Sequence, residues 1–215
     1  FSTTQVAAAM DYSQDFEGVH GWSLSNGTAA NQWNVGTAIA NGGTQSLYVS
    51  NDNGATTNYT NNSTSVVHAY RDIQMPAVVD QATLSFDYNI DGENCCDYVR
   101  VWVVPASFTP TAGTQINAGA AGAGAFQVGG NFNDSSGWET ELNVLDLSAY
   151  SGEVMRLIFE WRNDGSIGTA PAAIDNVSLS LITCPQPIDL VINDVEQTTA
   201  EFGWANQGTA TEWEI

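Results

Sequence analysis

Apolar and polar positions alternate with a period of two through several short runs of this chain. In "ATLSFDYNI" (82–90), Leu84, Phe86, Tyr88 and Ile90 fall on one face and Ser85, Asp87 and Asn89 on the other. That is the pattern of a strand with one side against a core. Comparable runs are "GWSLSN" (21–26), "QSLYVSN" (45–51), "SVVHAYRDI" (65–73), "DYVRVWVV" (97–104), "EVMRLIFEW" (153–161) and "AAIDNVSLSLI" (172–182). Trp22, Trp33, Trp102 and Trp161 sit in strand-like stretches and are predicted core residues.

Between the runs lie Gly-, Asn-, Ser- and Thr-rich segments such as "NDNGATTNYTNNST" and "GGNFNDSSG", which are turn and loop chemistry. Only "LNVLDLSAYSG" (142–152) has helical spacing, and it predicts one short turn or a bent strand. The Ala/Gly-rich stretch 118–125 reads as loop padding. Many short strands without βα alternation predict an all-β protein, an antiparallel jelly-roll β-sandwich. Pro185 and Pro187 interrupt the last run, and prolines there stop sheet pairing and stiffen a linker. The chain therefore divides into an N-terminal extension (1–14), a sandwich (15–183) and a separate β segment (184–215).

Composition narrows the partners. Among 215 residues, 4 are basic and 24 acidic, a formal charge of −20. Such a field repels phosphate backbones and anionic lipid, which excludes nucleic acid as a partner. The longest apolar run, "VRVWVVPA" (99–106), contains an arginine and falls far short of the roughly 20 residues that span a bilayer, so no membrane insertion is expected. Few charges among many small polar residues suit a secreted all-β protein, whose signal peptide is expected to have been removed before Phe1.

Three loops carry the oxygen ligands that a hard cation such as Ca2+ prefers: "SNDNG" with Asp52, "NIDGE" with Asp91 and Glu93, and "RNDGS" with Asp164. The same residues also build ordinary hairpin turns. "DGENCCD" is no EF-hand, since it lacks that motif's glycine and closing glutamate. Its adjacent Cys95 and Cys96, with Cys184, make an odd number of thiols. A Cys95–Cys96 bridge, a long bridge from Cys184 to one of them, and three free thiols all satisfy the sequence. Asp91, Glu93 and Asp97 form an acidic mouth whose repulsion a cation would cancel, and a bridge would lock its shape.

Catalytic patterns are poor. His20 and His68 lack a nucleophile elbow or a Cys-His partner. The carboxylates cluster in Gly/Asn loops, the habit of cation ligands rather than of a glycosidase acid pair. Tyr59 in "TNYTNN" and Trp138 in "SGWE" lie among loop residues and are candidate platforms for stacking a sugar ring.

"DFEGVHGWSLSNG", "NQWNVGTA", "GTQSLYVSNDNG", "LSFDYNIDGE", "DYVRVWVVP" and "LIFEWRNDGSIGTAPAAIDNVSL" together resemble the cleaved-adhesin or choice-of-anchor domains, MAM-like jelly rolls of secreted Bacteroidetes surface proteins. The resemblance implies a carboxylate on the first strand and another on the last, matching Glu17 and Asp175, that share a calcium ion with carbonyls around Gly43 and Thr44. It implies an adhesin or binding domain at the bacterial cell surface, exported by the type IX route, whose partners are a glycan or protein on a cell or matrix surface and the remainder of its own multidomain chain. The alternative is an accessory carbohydrate-binding module of a secreted protease or glycanase. "PQPIDLVIND", "TTAEFGWA" with Trp204, and "ATEWEI" resemble the opening strands of a fibronectin type III module, about a third of the roughly 100 residues such a sandwich needs. The protein is therefore expected to continue past Ile215.

Overall fold

A computed structural model of the chain describes residues 6–183 and 188–205. Its strands are β1 (Ala8–Ala9), β2 (Tyr12–Gln14), β3 (Ser23–Ser25), β4 (Gln32–Gly36), β5 (Ser46–Ser50), β6 (Ser65–Gln74), β7 (Gln81–Gly92), β8 (Tyr98–Pro105), β9 (Phe126–Phe132), β10 (Glu139–Asp146), β11 (Val154–Asn163), β12 (Thr169–Leu181), β13 (Ile188–Val195) and β14 (Ala200–Ala205). One four-residue helix, α1 (Ala118–Ala121), and a 3-10 turn at Ser148–Tyr150 complete the described elements.

Two six-stranded sheets face each other. The first runs β1-β6-β11-β8-β9 with β3 also on β6, and the second β10-β7-β12-β5-β4 with β2 also on β12. Every pairing is antiparallel except β1 with β6. The alternation read from the sequence decides the inner faces: Leu84, Phe86 and Ile90 of β7 are fully buried, while Ser85, Asp87 and Asn89 between them are half-buried. Opposite them lie Val99, Val101 and Val103 of β8 and Leu157, Phe159 and Trp161 of β11, all fully buried. An aromatic chain crosses the interior. Trp22 stacks on Phe159 at 5.4 Å, and Phe86 meets Phe159 at 5.4 Å and Phe132 at 5.3 Å, both edge-on. Each buried ring or aliphatic side chain of this kind contributes about 1.5–3 kcal/mol.

Residues 8–14, assigned from sequence to an extension, supply β1 to one sheet and β2 to the other. The 142–152 stretch divides into the end of β10 and the 3-10 turn. The 118–125 padding contains α1, whose N-terminus is capped by the Asn117 side chain accepting from Gly119 N–H at 3.0 Å. This helix belongs to the β8–β9 connection (106–125), which covers the outward face of the first sheet. There Trp102, Val104, Ile116, Ala121 and Ile158 form a second apolar cluster. Beside it Glu160, fully buried, accepts from Arg100 Nε at 2.7 Å and from the Ile116 N–H at 2.6 Å, and contacts His68 Nε2 at 3.2 Å. Arg156 forks onto Asp72 at 2.6 and 3.0 Å and lies 4.3 Å over the Tyr70 ring. Arg100, Arg156 and Arg162, three of the four basic residues, thus lie on this face, the first two paired with carboxylates of the chain itself and the third donating to a backbone carbonyl.

β13 and β14 pair as an antiparallel hairpin over two of the segments read as fibronectin-like strands. The third, "ATEWEI", lies outside the described residues, as does Cys184.

Candidate functional site

At one end of the sandwich β7, β9 and β11 finish and β8, β10 and β12 begin. The β7–β8 loop there is closed by its own backbone: Glu93 N–H donates to Asp97 O at 3.2 Å and Asp97 N–H to Glu93 O at 3.3 Å. The carbonyl of Glu93 also accepts from Cys96 N–H at 3.1 Å and from Asn133 Nδ2 at 3.0 Å. Cys95 and Cys96 are joined by a disulfide at the tip, and Arg162 donates to the Cys96 carbonyl.

Glu93, Asp97 and Asp164 converge there, with one carboxylate oxygen of each within 4.8 Å of the others. Asp97 is fully buried, and its oxygens accept from Tyr59 OH at 2.7 Å and from Asp164 N–H at 2.9 Å. Glu93 Oε2 is buried without a hydrogen-bond partner. Gly92 and Gly168 press on Asp97 so closely that a Cβ would lie 2.4 Å from its carbonyl oxygen at the former and 2.1 Å from Oδ2 at the latter, and both have left-handed φ, +56° and +75°. Burial pushes the Asp97 carboxyl upward, and the charge of Asp164 adds to that, against the lowering effect of the two hydrogen bonds and Arg162. Burial first, then Asp97 itself, holds the Tyr59 hydroxyl far above its ordinary value, so it remains a donor. Three mutually repelling carboxylates, one of them buried, form an oxygen set that a hard divalent cation would neutralise. The residues present therefore fit such an ion.

The second predicted centre is organised by the 41–45 turn. Phe16, fully buried with φ 59°, turns the chain after β2 so that Glu17 reaches this turn. The turn meets Glu17 with donors: Thr44 N–H and Gln45 N–H each at 2.7 Å and the Thr44 hydroxyl at 2.8 Å. The Gln45 and Thr44 amides hold its carboxyl below the usual carboxylate range. A Cβ on Gly43 would lie 2.3 Å from Glu17 Oε1. Asp175, 1 % exposed, accepts from Asn41 N–H and Asn176 N–H, both at 2.8 Å. Burial lifts its carboxyl, and the charges of Asp87 and Glu17 lift it further. Glu17, Gly43, Thr44 and Asp175 are thus gathered around one turn, together with Asp87, which Asn41 and Asn176 clamp through their side-chain amides at 2.8 Å each. β12 changes partner from β5 to β2 beside Asp175, where its pairing with β7 is also irregular.

The other predicted residues divide. Asp52 staples its own turn, accepting from Ser50 Oγ, Thr56 N–H and Thr56 Oγ1. Asp91 is exposed on β7 and stands outside the Glu93–Asp97–Asp164 group. Tyr59 is no open platform: it is 9 % exposed, edge-on to Trp161 at 5.1 Å and bonded to Asp97, because the 51–64 loop folds inward over the sandwich end. Trp138 is half-buried in the β9–β10 loop, which is stitched to the β7 end through Ser135 N–H to Ile90 O at 2.8 Å and Asp134 N–H to Asp91 O at 2.9 Å. Trp138 and the acidic cluster therefore share this end.

Asp97 is read from sequence only as part of an acidic mouth, since nothing local marks its contact with Asp164, 67 positions away. Asp87, Asn41 and Asn176 carry no signal beyond a polar-face position in one strand, an ordinary turn residue and a polar position in another strand.

No protein-family model matches the chain, and no curated protein matches it. Among solved structures it is similar to the enzymatically active domain of tailspike protein 4 of bacteriophage CBA120, at 16 % identity and TM-score 0.48, covering 78 % of this chain and 20 % of that one. It is also similar to the CBM22-1 xylan-binding domain of Xyn10C from Paenibacillus barcinonensis, at 18 % identity and TM-score 0.41 over 82 % of this chain and 97 % of that one. The C-terminal family 22 carbohydrate-binding module of Clostridium thermocellum Xyn10B gives 17 % identity and TM-score 0.43 over 79 % and 92 %. Likeness of this degree assigns no ligand or activity to the chain, whose sandwich is established by its own strand pairing.

Proposed function

We propose that this chain is a calcium-stabilised, non-catalytic binding module of a secreted bacterial surface protein, holding glycan or protein on a cell or matrix surface. The observation that carries the reading is the convergence of Glu93, Asp97 and Asp164, with a buried and unpartnered Glu93 oxygen, at the loop end that also bears the half-buried Trp138. In this reading a calcium ion ties the β7–β8 and β11–β12 loops together, and the stiffened end presents the indole as a stacking face. Glu17 and Asp175 meet the same turn, but Thr44 and Gln45 offer Glu17 amide and hydroxyl donors rather than the carbonyls expected to complete an ion's shell, so the loop end carries the calcium reading. Neither histidine is free to act as a base: His68 is fully buried against Glu160, and His20 Nδ1 accepts the Trp22 N–H at 3.0 Å.

Calorimetric melting with calcium and with chelator tests the metal. Calcium at a hundredfold its Kd stabilises by about 2.7 kcal/mol, which raises the melting temperature of a domain this size by about 5–11 °C. Asp97→Asn abolishes the shift if the ion sits at the loop end; if Asp175→Asn alone abolishes it, that placement is wrong. Glycan-array binding without product formation, weakened about tenfold by Trp138→Ala, a loss of about 1.4 kcal/mol, tests the platform. Hydrolysis of any bound glycan would overturn the non-catalytic reading.

A further inference from the structure

The Cys95–Cys96 disulfide joins neighbours in the chain. A crosslink stabilises a fold chiefly by restricting the unfolded chain, and more so as the closed loop lengthens. Closing a ring of two adjacent residues removes almost none of that freedom. Nor is the bond needed for the loop's course, which the paired Glu93 and Asp97 backbones, the Cys96 N–H and the Asn133 amide already hold. What remains is the chemistry of the sulfurs. Cys95 is exposed and Cys96 half-buried. A carboxylate oxygen of Glu93 lies with both sulfurs, the three atoms within 4.8 Å of one another, and Glu93 Oε2 is buried without a donor.

We propose that Cys95 and Cys96 form a redox-gated site for a thiophilic divalent cation of the Zn2+ or Cd2+ class, with the two thiolates and Glu93 as ligands. In the oxidised chain the sulfurs are spent on each other. A trialkylphosphine breaks the S–S bond by taking up one sulfur; water then supplies the oxygen of the phosphine oxide and the protons that leave two thiols. Binding the cation releases those two protons to buffer. Thiolates select Zn2+, Cd2+ and their kin over Ca2+, so reduction converts a loop mouth of hard oxygen ligands into a soft site at its tip. The site does not depend on the calcium reading, although Glu93 is common to both groups of ligands.

The test uses the full chain carrying Cys184→Ser, so that no third thiol takes part, in calcium-free buffer. Cadmium is titrated before and after phosphine treatment and followed by its thiolate charge-transfer absorption in the ultraviolet. The expected result is one cadmium per reduced chain and none per oxidised chain, with near-ultraviolet circular dichroism of the tryptophans unchanged by reduction. Adding Cys95→Ser and Cys96→Ser abolishes the absorption, and Glu93→Gln weakens cadmium binding at least about tenfold. Equal absorption without reduction, none after it, absorption persisting in the double serine variant, or collapse of the tertiary signal on reduction each overturns the proposal. Calcium-dependent melting is read on the oxidised chain, so the two readings fail separately.

Discussion

Gly168→Ala places a methyl group at the most crowded point of the loop end. Gly168 has φ +75°, and its Cβ would lie 2.1 Å from Asp97 Oδ2 and 2.2 Å from Tyr59 OH, well inside the 3.0 Å that real Cβ atoms respect. Holding an L-residue in the left-handed region costs about 1–2 kcal/mol. Asp97 is fully buried and bound by Tyr59 and the Asp164 N–H, so it yields only by giving up a charge-assisted hydrogen bond, about 1.5–3 kcal/mol more. Together these predict a loss of about 2.5–5 kcal/mol and a melting temperature lower by about 5–20 °C. Gly165→Ala in the same loop is the control: its nearest neighbour is Thr64 Oγ1 at 3.8 Å, and a surface change of that kind stays within about 0.5 kcal/mol. Thermal unfolding followed by tryptophan fluorescence reads both variants in chelator. Equal melting of Gly168→Ala and wild type would refute the claim that Asp97 is locked against the β11–β12 loop.

Burial raises the Asp97 and Asp175 carboxyls, so their stabilising contribution is complete below the unfolded value, about 4, and fades as pH rises through the folded values. In chelator the protein therefore gains stability as pH falls from neutral towards about 4.5, and Asp97→Asn gains less; parallel curves for the two would contradict this. Glu17, Asp52, Glu139 and Asp146 are lowered by hydrogen bonds; their contribution is present above the unfolded values, about 4, and disappears on further acidification. Glu160→Ala strands Arg100, His68 and the Ile116 N–H and is expected to cost about 3–5 kcal/mol in urea unfolding, with faster proteolysis in the 106–125 connection. A cost below about 1 kcal/mol would show that this buried cluster does not fasten the connection.

The period-two runs locate β5, β6, β7, β8, β11 and β12 closely, because burial on one face of a strand is written into alternate residues. β9 and β10 escape that reading for different reasons. The Gly129–Gly130 pair bulges β9, with Gly129 at φ +62°, while β10, an edge strand, turns Leu142 and Val144 outward at 64 % and 57 % exposure. His68 and Glu160 are buried because the β8–β9 connection lies across the outward face of their sheet, and no local pattern says which face acquires a cover.

By itself the sequence determined the two-layer β architecture, the strongly acidic net charge, and the loops in which carboxylates collect. Strand order decided the rest. Asp97 meets Tyr59 across 38 positions and Asp164 across 67, and Glu17 reaches Thr44 across 27. Alternation is a property of one strand and its immediate surroundings, legible a few residues at a time. Which strand ends become neighbours depends on how all the strands satisfy their backbone hydrogen bonds and bury their inner faces together, and only the assembled sandwich settles that.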